Sequence, residues 1–189
     1  MGRVIQFEEH AVARLRARLG AAEEANQDLL AFARGHSGAV ASIHESVIAA
    51  MEAESIERLF HTVTQEWPLI LGIDAVSLAL VVGDEGFRAD GNGVQKVEPA
   101  ILQRTFAGLG PVEMRGVERG HPLFGPACDL IRAEALIRID CDPPLPSGLL
   151  ALGQRTSQSI DNRHGSELLL FLGRSLAAML RRWMIDPTS

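Results

Sequence analysis

A chain of 189 residues is long enough for one domain with an appendage and too short for two full domains. Apolar residues make up 47% and charged residues 22%, the balance of a folded soluble protein, which excludes both wholesale disorder and a disulfide-stapled miniature scaffold. Lys and Arg number 18 against 24 Asp and Glu, a net charge of −6, so the broad basic footprint of a nucleic-acid binder is missing and no nucleic-acid partner is expected.

Met1 to Gln6 runs into Phe7-Glu8-Glu9-His10 with no apolar stretch or small-residue cleavage site, which gives no sign of a signal peptide. The longest apolar runs, around Leu69 to Leu71, Ala75 to Val82 and Leu168 to Leu172, fall far short of the roughly 18 residues that span a bilayer. A cytoplasmic protein without a membrane partner is therefore expected. Cys128 and Cys141 form no closely spaced metal-type motif and read as ordinary buried or half-buried thiols of a reducing compartment.

The first fifty residues carry a heptad: Val12, Leu15, Leu19, Ala22, Asn26, Leu29, Ala33, His36, Val40, Ile43, Val47 and Ala50 alternate at a and d positions. The phase survives Gly35-His36-Ser37-Gly38, so one long helix over about 9 to 52, kinked or straight at the glycines, is expected. Asn26 at an a site satisfies its amide best against its own copy, and Arg18 and Glu23 occupy g and following e positions. Both point to a parallel homodimer with Val12, Leu15, Leu19, Asn26, Leu29, Val40, Ile43 and Val47 at its interface. The alternative is that the seam packs on the chain's own domain with Asn26 near solvent. The division expected is 1–53 for this helical segment and 54–189 for the domain.

Ser55 is a good N-cap for a helix carrying Ile56, Leu59, Phe60, Val63 and Trp67, which Pro68 should kink or end and Gly72 close. Asp74 to Val82 alternates as a strand, Gly83 to Gly86 turns, and Phe87 to Ala89 begins its hairpin partner. Glu98-Pro99 opens a short helix with Ile101, Leu102 and Phe106; Pro111 to Val117 reads as a strand; Ala127 to Arg132 reads as a helical turn. Glu134 to Asp140 and Gly148 to Gly153 are strands joined across a proline-rich turn, and 165 to 185 is an amphipathic helix with C-terminal arginines.

This order makes an α+β arrangement, an antiparallel sheet flanked by helices that gather mainly on one face, preceded by a long helix. It resembles a GAF domain, a sensory module, most specifically in the hairpin Glu134-Ala135-Leu136-Ile137-Arg138-Ile139 with Gly148-Leu149-Leu150-Ala151-Leu152-Gly153 and the terminal helix. More narrowly, the chain resembles the bacterial family called domain of unknown function 484, which joins an N-terminal helical region to a GAF-like domain. The matching segments are Glu24-Ala25-Asn26, Leu29-Leu30, Leu59, Asp74-Ala75-Val76-Ser77-Leu78, Leu123-Phe124-Gly125, Leu130-Ile131-Arg132 and the two strands of that hairpin. The resemblance implies a fold and no reaction.

The subtypes of that fold leave few traces here. Lys96 lies between Gln95 and Val97 and not in the Asn-Lys-Phe signature that cyclic-nucleotide-binding GAF domains resemble one another in. Cys128 precedes Asp129 and not the His usual beside a bilin-attaching cysteine. GAF-like methionine sulfoxide reductases use a cysteine set, of which only Cys128 and Cys141 could form part. His121, Cys128 and Cys141 match no closed zinc pattern, Asp140 and Asp142 beside proline read as turn formers, and no nucleophile elbow or phosphate loop is present. No cofactor, metal or catalytic residue is expected, and the protein is read as a non-enzyme.

A noncovalent pocket is implied by the resemblance, between the sheet and the segments 98–107 and 119–132. Arg115, His121, Phe124, Asp129, Arg132 and Arg138 are its candidate ligand-binding residues, their cations near aromatic surface suiting a small anion. The structural reading beside it has the arginines paired with Asp129 and Glu134 and has Phe106 and Phe124 in the core. The expected function is a GAF-like regulatory or signalling protein, homodimeric through its N-terminal helix and binding a small ligand; the alternatives are an interaction scaffold with no ligand and a thiol redox enzyme using Cys128 and Cys141.

Overall fold

A computed structural model describes residues 2–141, 147–157 and 162–185; for 2–15, 17, 25, 28–34, 162–164, 184 and 185 it describes the backbone alone. Helix α1 spans Gly2–Met51 and is shared between two compact units, residues 1–41 and 42–189. In the first unit the chain is helical throughout its described length, Gly35 and Gly38 included. Leu19 and Asn26 are exposed in the single chain and Val40 is half-buried. The side chains of Val12, Leu15 and Leu29 lie outside the described residues.

The second unit begins inside α1, twelve residues before the boundary expected at residue 53, because the last turns of the helix belong to the domain core. Ile43 and Val47, expected at an interface between chains, are 4% and 9% exposed in one chain and pack with Ala50 on its own sheet. The heptad thus continues in phase past the point where its partner changes from solvent to sheet. Ser46, also buried, donates from Oγ to the Ser42 carbonyl at 2.8 Å, and its own carbonyl accepts from Trp67 Nε1 at 2.9 Å.

Trp67 reaches α1 from a helical run that does not stop at its proline. Ser55 Oγ caps α2 (Ile56–His61) by accepting from the Arg58 amide at 3.1 Å, a π-turn covers Thr62–Glu66, and α3 (Trp67–Leu71) follows with Pro68 in its first turn. The Trp67 amide bonds to the Thr62 carbonyl, five residues back. That wider turn puts Pro68 at the start of a new α segment, where a missing amide and a fixed φ cost nothing, so the break expected at Pro68 becomes a bulge. Gly72, in the left-handed conformation with φ 65°, ends the run.

The sheet takes β1 (Ala75–Val82), β2 (Glu85–Asp90), β3 (Gly93–Val97), β4 (Val112–Gly116), β5 (Ala133–Ile139) and β6 (Ser147–Gln154) in the spatial order β3-β2-β1-β6-β5-β4, every neighbouring pair antiparallel. Between β3 and β4 runs α4 (Pro99–Gly108), between β4 and β5 a 3-10 segment (Pro122–Leu130), and α5 (Asn162–Ile185) closes the described chain. The strand β3 was not foreseen: four of its five residues are exposed and its sequence carries no apolar alternation.

Both faces of the sheet are covered. Val76, Leu78 and Leu80 of β1, Leu150 and Leu152 of β6, and Ala135, Ile137 and Ile139 of β5 meet the end of α1, Trp67, and Leu172, Leu176 and Leu180 of α5. Ala79, Leu149, Ala151 and Leu136 point the other way, into Leu102 of α4 and Leu123, Phe124 and Ile131 of the 3-10 region. The larger helices gather on one face, as the order of elements predicts, and each leucine or isoleucine fully buried there contributes about 1.5–3 kcal/mol.

Helix α5 lies so close to β5 that a methyl on Gly173 would stand 2.5 Å from Ile137 Cγ2, whereas methyls on Gly35 and Gly38 of α1 would meet nothing within 4 Å. Gly173→Ala is therefore expected to lower the unfolding free energy by about 1–3 kcal/mol through overpacking, despite the better helix propensity of alanine. Gly35→Ala with Gly38→Ala is expected to stabilise α1 by about 0.5–1 kcal/mol per site. Urea titrations followed by circular dichroism read both signs.

Candidate functional site

The face of the sheet under α4 and the 3-10 segment holds the buried charged side chains among the described residues, Arg88, Asp90 and Glu134, and it is the face where the sequence placed its candidate pocket. Most of that face is filled with apolar side chains, Leu102, Leu123, Phe124, Ile131, Leu136 and Leu149 all being buried. Two polar clusters stand at its margins, and each fastens the cover to the sheet.

The first cluster centres on Glu134 of β5, whose side chain is fully buried. Its Oε1 accepts from Arg115 Nε at 2.8 Å, with Arg115 Nη2 at 2.8 Å from the same oxygen, and its Oε2 accepts from the His121 backbone amide at 2.6 Å. Arg115 sits opposite Glu134 in the β4–β5 register and also holds Glu113 at 2.7 Å. Partial burial opposes the charge on Arg115, but the hydrogen bond and charge of Glu134, then Glu113, carry its pKa above the ordinary arginine value. One carboxylate thus joins β4, β5 and the loop that leads into the cover.

Above it, the His121 ring bridges the two covering segments. Thr105 Oγ1 on α4 donates to the Ile101 carbonyl at 2.9 Å, so its one proton is spent and it accepts from His121 Nε2 at 3.0 Å. His121 Nδ1 accepts from the Leu123 amide at 3.2 Å, capping the 3-10 segment. This bookkeeping fixes the neutral ring with its proton on Nε2. Burial pushes the His121 pKa below its ordinary value; the Glu134 carboxylate pulls it up and the Arg115 guanidinium pushes it down.

The second cluster lies on β2 and β3. Arg88 and Asp90 share the covered face and are themselves buried; Arg88 Nε stands 3.1 Å from Asp90 Oδ2 and Nη2 donates to Gln95 Oε1 across the β2–β3 register. Asp90 Oδ1 accepts from the Asn92 amide at 2.8 Å, which closes the β2–β3 turn. The guanidinium lies against Gly125, where the 3-10 segment kinks at φ 55°, ψ −129°; a side-chain carbon there would meet Arg88 Nη2 at 3.0 Å. A glycine is needed both for that backbone and for that approach.

The six residues singled out from the sequence are distributed over this frame. Arg115 and His121 meet at Glu134, and Phe124 is core, its ring lying where a side chain on Gly153 would have to go. Asp129 pairs with Arg119 at 2.7 Å on the surface; Arg132 bonds through Nη1 to the carbonyls of Asp129 and Ile131; Arg138 pairs with Asp140 at 2.8 Å. Sequence reasoning passed over Arg88, Asp90, Gln95 and Thr105. Arg88 and Asp90 did leave a signal, two charges spaced by two on a strand next to the apolar β1.

Cys128 is buried in the core beneath the 3-10 segment, while Cys141 packs against the opposite core with Sγ 3.8 Å from the Ala177 carbonyl of α5, so the sheet separates the two thiols. Asp142, read as a turn former beside Asp140, lies outside the described residues. Among the described residues no group of three or more His, Cys, Asp or Glu is placed to hold a metal ion, and no helix is long and apolar enough to cross a membrane.

The sequence pattern of the family described as a protein of unknown function, DUF484, matches residues 1–185. The chain belongs to the DUF484 family. Among solved structures it is similar to the GAF domain of a phosphoenolpyruvate-protein phosphotransferase (ptsP) from Coxiella burnetii, with 15% identity over 82% of this chain and 99% of that one and a TM-score of 0.59. It is also similar to the A. aeolicus nlh2 GAF domain in an inactive state, at 12% identity over 77% and 96% and a TM-score of 0.58. A free methionine-R-sulfoxide reductase from Neisseria meningitidis, solved in complex with its substrate, matches at 16% identity over 76% and 89%, with a TM-score of 0.57. No curated protein matches the chain. These likenesses give this DUF484 chain the GAF fold.

Two outcomes test the first cluster. Arg115→Met leaves the Glu134 carboxylate buried and still accepting from the His121 amide, without its cation, and is expected to cost about 3 kcal/mol of unfolding free energy, read by urea titration. For His121, the folded pKa is the lower one, so its contribution is complete above the ordinary imidazole value of about 6.5 and is lost as pH falls from there through the folded value. Wild type should lose stability against His121→Asn, which keeps an acceptor for the Leu123 amide, as pH drops below about 6.5; a constant difference from pH 8 to pH 5 contradicts this.

Proposed function

We propose that this protein is a non-enzymatic, GAF-like regulatory protein of the cytoplasm, homodimeric through its N-terminal helix. A small ligand or partner engages the face of the sheet under α4 and the 3-10 segment. The supporting observation is how the margins of that cover are fastened around its apolar packing: by side-chain latches from Glu134 to His121 and from His121 to Thr105, with the Arg88 guanidinium laid against Gly125. Such latches open and close as units, so displacing them re-packs the sheet against helices on its other face without breaking the sheet itself. Arg115 and Arg88, the cations at the two margins, would meet an anionic ligand once the cover moves. That one similar GAF-fold protein was solved with its substrate is in keeping with this reading.

A scaffold with no ligand is the second reading, and it is favoured by the filling of the site with Leu102, Leu123 and Phe124. A redox relay between Cys128 and Cys141 has the sheet against it. Native mass spectrometry of freshly purified protein tests all of this: a dimer with added small-molecule mass supports the ligand-binding reading, a dimer of bare chain mass supports the scaffold, and a monomer overturns the dimeric reading. Thiol titration unchanged by peroxide removes the redox relay.

A further inference from the structure

The segment that carries the 3-10 turns is pinned to the sheet at its two ends. The Val117 amide donates to the Arg132 carbonyl at 2.9 Å and the Arg132 amide to the Gln154 carbonyl at 2.8 Å, so residues 117 and 132 stand together at the start of β5 and the chain between them is a loop closed at its neck. A loop of this kind, packed by its own side chains, lifts as a unit without unpairing strands. Its polar tie to α4 runs through the His121 ring, which meets Thr105, and its polar tie to β5 through the His121 amide on Glu134.

A second proton cannot join that ring without breaking its bonds. Nε2–H already donates to Thr105 Oγ1, whose own proton goes to the Ile101 carbonyl, so the incoming proton takes Nδ1, the atom that accepts from the Leu123 amide at 3.2 Å. Protonated Nδ1 sets donor against donor, and the 3-10 segment loses its cap. The charged groups that act on the ring are Glu134 of β5 and Arg115 of β4, the latter held in turn by Glu113; on α4 the ring meets the uncharged Thr105, and on its own loop Arg119 and Asp129 pair with each other at the surface. Burial keeps the ring neutral against the pull of Glu134, and Arg115 opposes a second charge beside its own, so an imidazolium gains by leaving this slot for water.

We propose that His121 is an acid-operated catch: protonating its ring frees the 3-10 segment from α4 and lifts the cover, while the sheet and the helices on its far face stay folded. The inference rests on the reading of this face as the one that a ligand or partner engages, and adds what opens it. The opening is local because the two bonds lost with the ring, to Thr105 and from the Leu123 amide, both belong to the cover, and the neck at Val117 and Arg132 takes no part. The catch is shut above the ordinary imidazole value of about 6.5 and releases as pH falls below it.

The two thiols make the test. Cys128, 8% exposed, lies in the core beneath the cover and reports its opening, and Cys141, on the other side of the sheet, is the reference. The full chain is labelled at pH 7.5 and pH 5.5 with a pyridyl disulfide, which reacts with thiols in acid as well as in neutral solution, and each site is read by peptide mass. The same ratio in His121→Asn at each pH removes the pH dependence of the thiol chemistry itself. Relative to that variant, the Cys128 to Cys141 labelling ratio of wild type is expected to rise by up to about tenfold between pH 7.5 and pH 5.5, the ceiling set by a released imidazole that titrates near 6.5, with circular dichroism unchanged. A wild-type ratio that follows His121→Asn at both pH values overturns the catch, and so does an equal rise at both thiols with loss of the dichroism signal, which is global unfolding. Thr105→Val keeps the titrating ring and removes its acceptor on α4; it is expected to label at Cys128 faster than wild type at pH 7.5, and a wild-type rate there also overturns the catch. Native mass spectrometry at the same two pH values separates the two readings: a rising ratio on a protein that carries no added mass removes the ligand alone, and added mass with a flat ratio removes the catch alone.

Discussion

A sheet covered on both sides leaves its central strands no solvent face, and most of this structure follows from that constraint. β6 lies between β1 and β5, and six of its eight residues are buried. Its sequence, Gly148-Leu149-Leu150-Ala151-Leu152-Gly153, is correspondingly an unbroken apolar run without the alternation of a half-exposed strand. A polar group on such a sheet must find its partner inside the protein or be very costly. Glu134 finds Arg115 on the neighbouring strand and the His121 amide in the loop to the cover, and Arg88 finds Asp90 two residues along its own strand and Gln95 on the next. The same demand that hides charge therefore ties the cover to its base.

Much of the fold was legible because its elements are strongly periodic. The three-and-four spacing of Leu168, Phe171, Leu172, Leu176 and Leu180, and the apolar alternation of Val76, Leu78 and Leu80, each name one structure. What escaped was local or edge-like. β3 carries no apolar pattern because its side chains face solvent, and Pro68 reads as a breaker until the π-turn before it is seen. The heptad of α1 illustrates a different limit. Periodicity fixes which face of a helix is apolar but not whose surface covers it, and from Ile43 onward the covering surface is the chain's own sheet.

The candidate site was less legible for the same physical reason. His121 and Arg115 stand out as residue types, but their arrangement depends on Glu134 and Thr105, which are brought to them across a strand register and across the sheet's cover, not along the chain. Phe124 stands out as an aromatic and proves to be packing, closed in by Ile131 and the bare backbone of Gly153. Spacing in sequence shows nothing of a latch whose two halves lie sixteen residues apart on different segments.

The rims of the sheet carry their own message. At one side β3 is five residues long and presents Lys96, held 2.6 Å from Glu85; at the other, β4 is equally short and presents the Glu113–Arg115 pair. Brief, charged margins of this kind give an incoming β-segment few backbone groups to zip onto and ask it to strip water from ion pairs as it arrives. The molecule is thereby guarded against runaway lateral growth into fibrils, and this safeguard is independent of whatever the helices do.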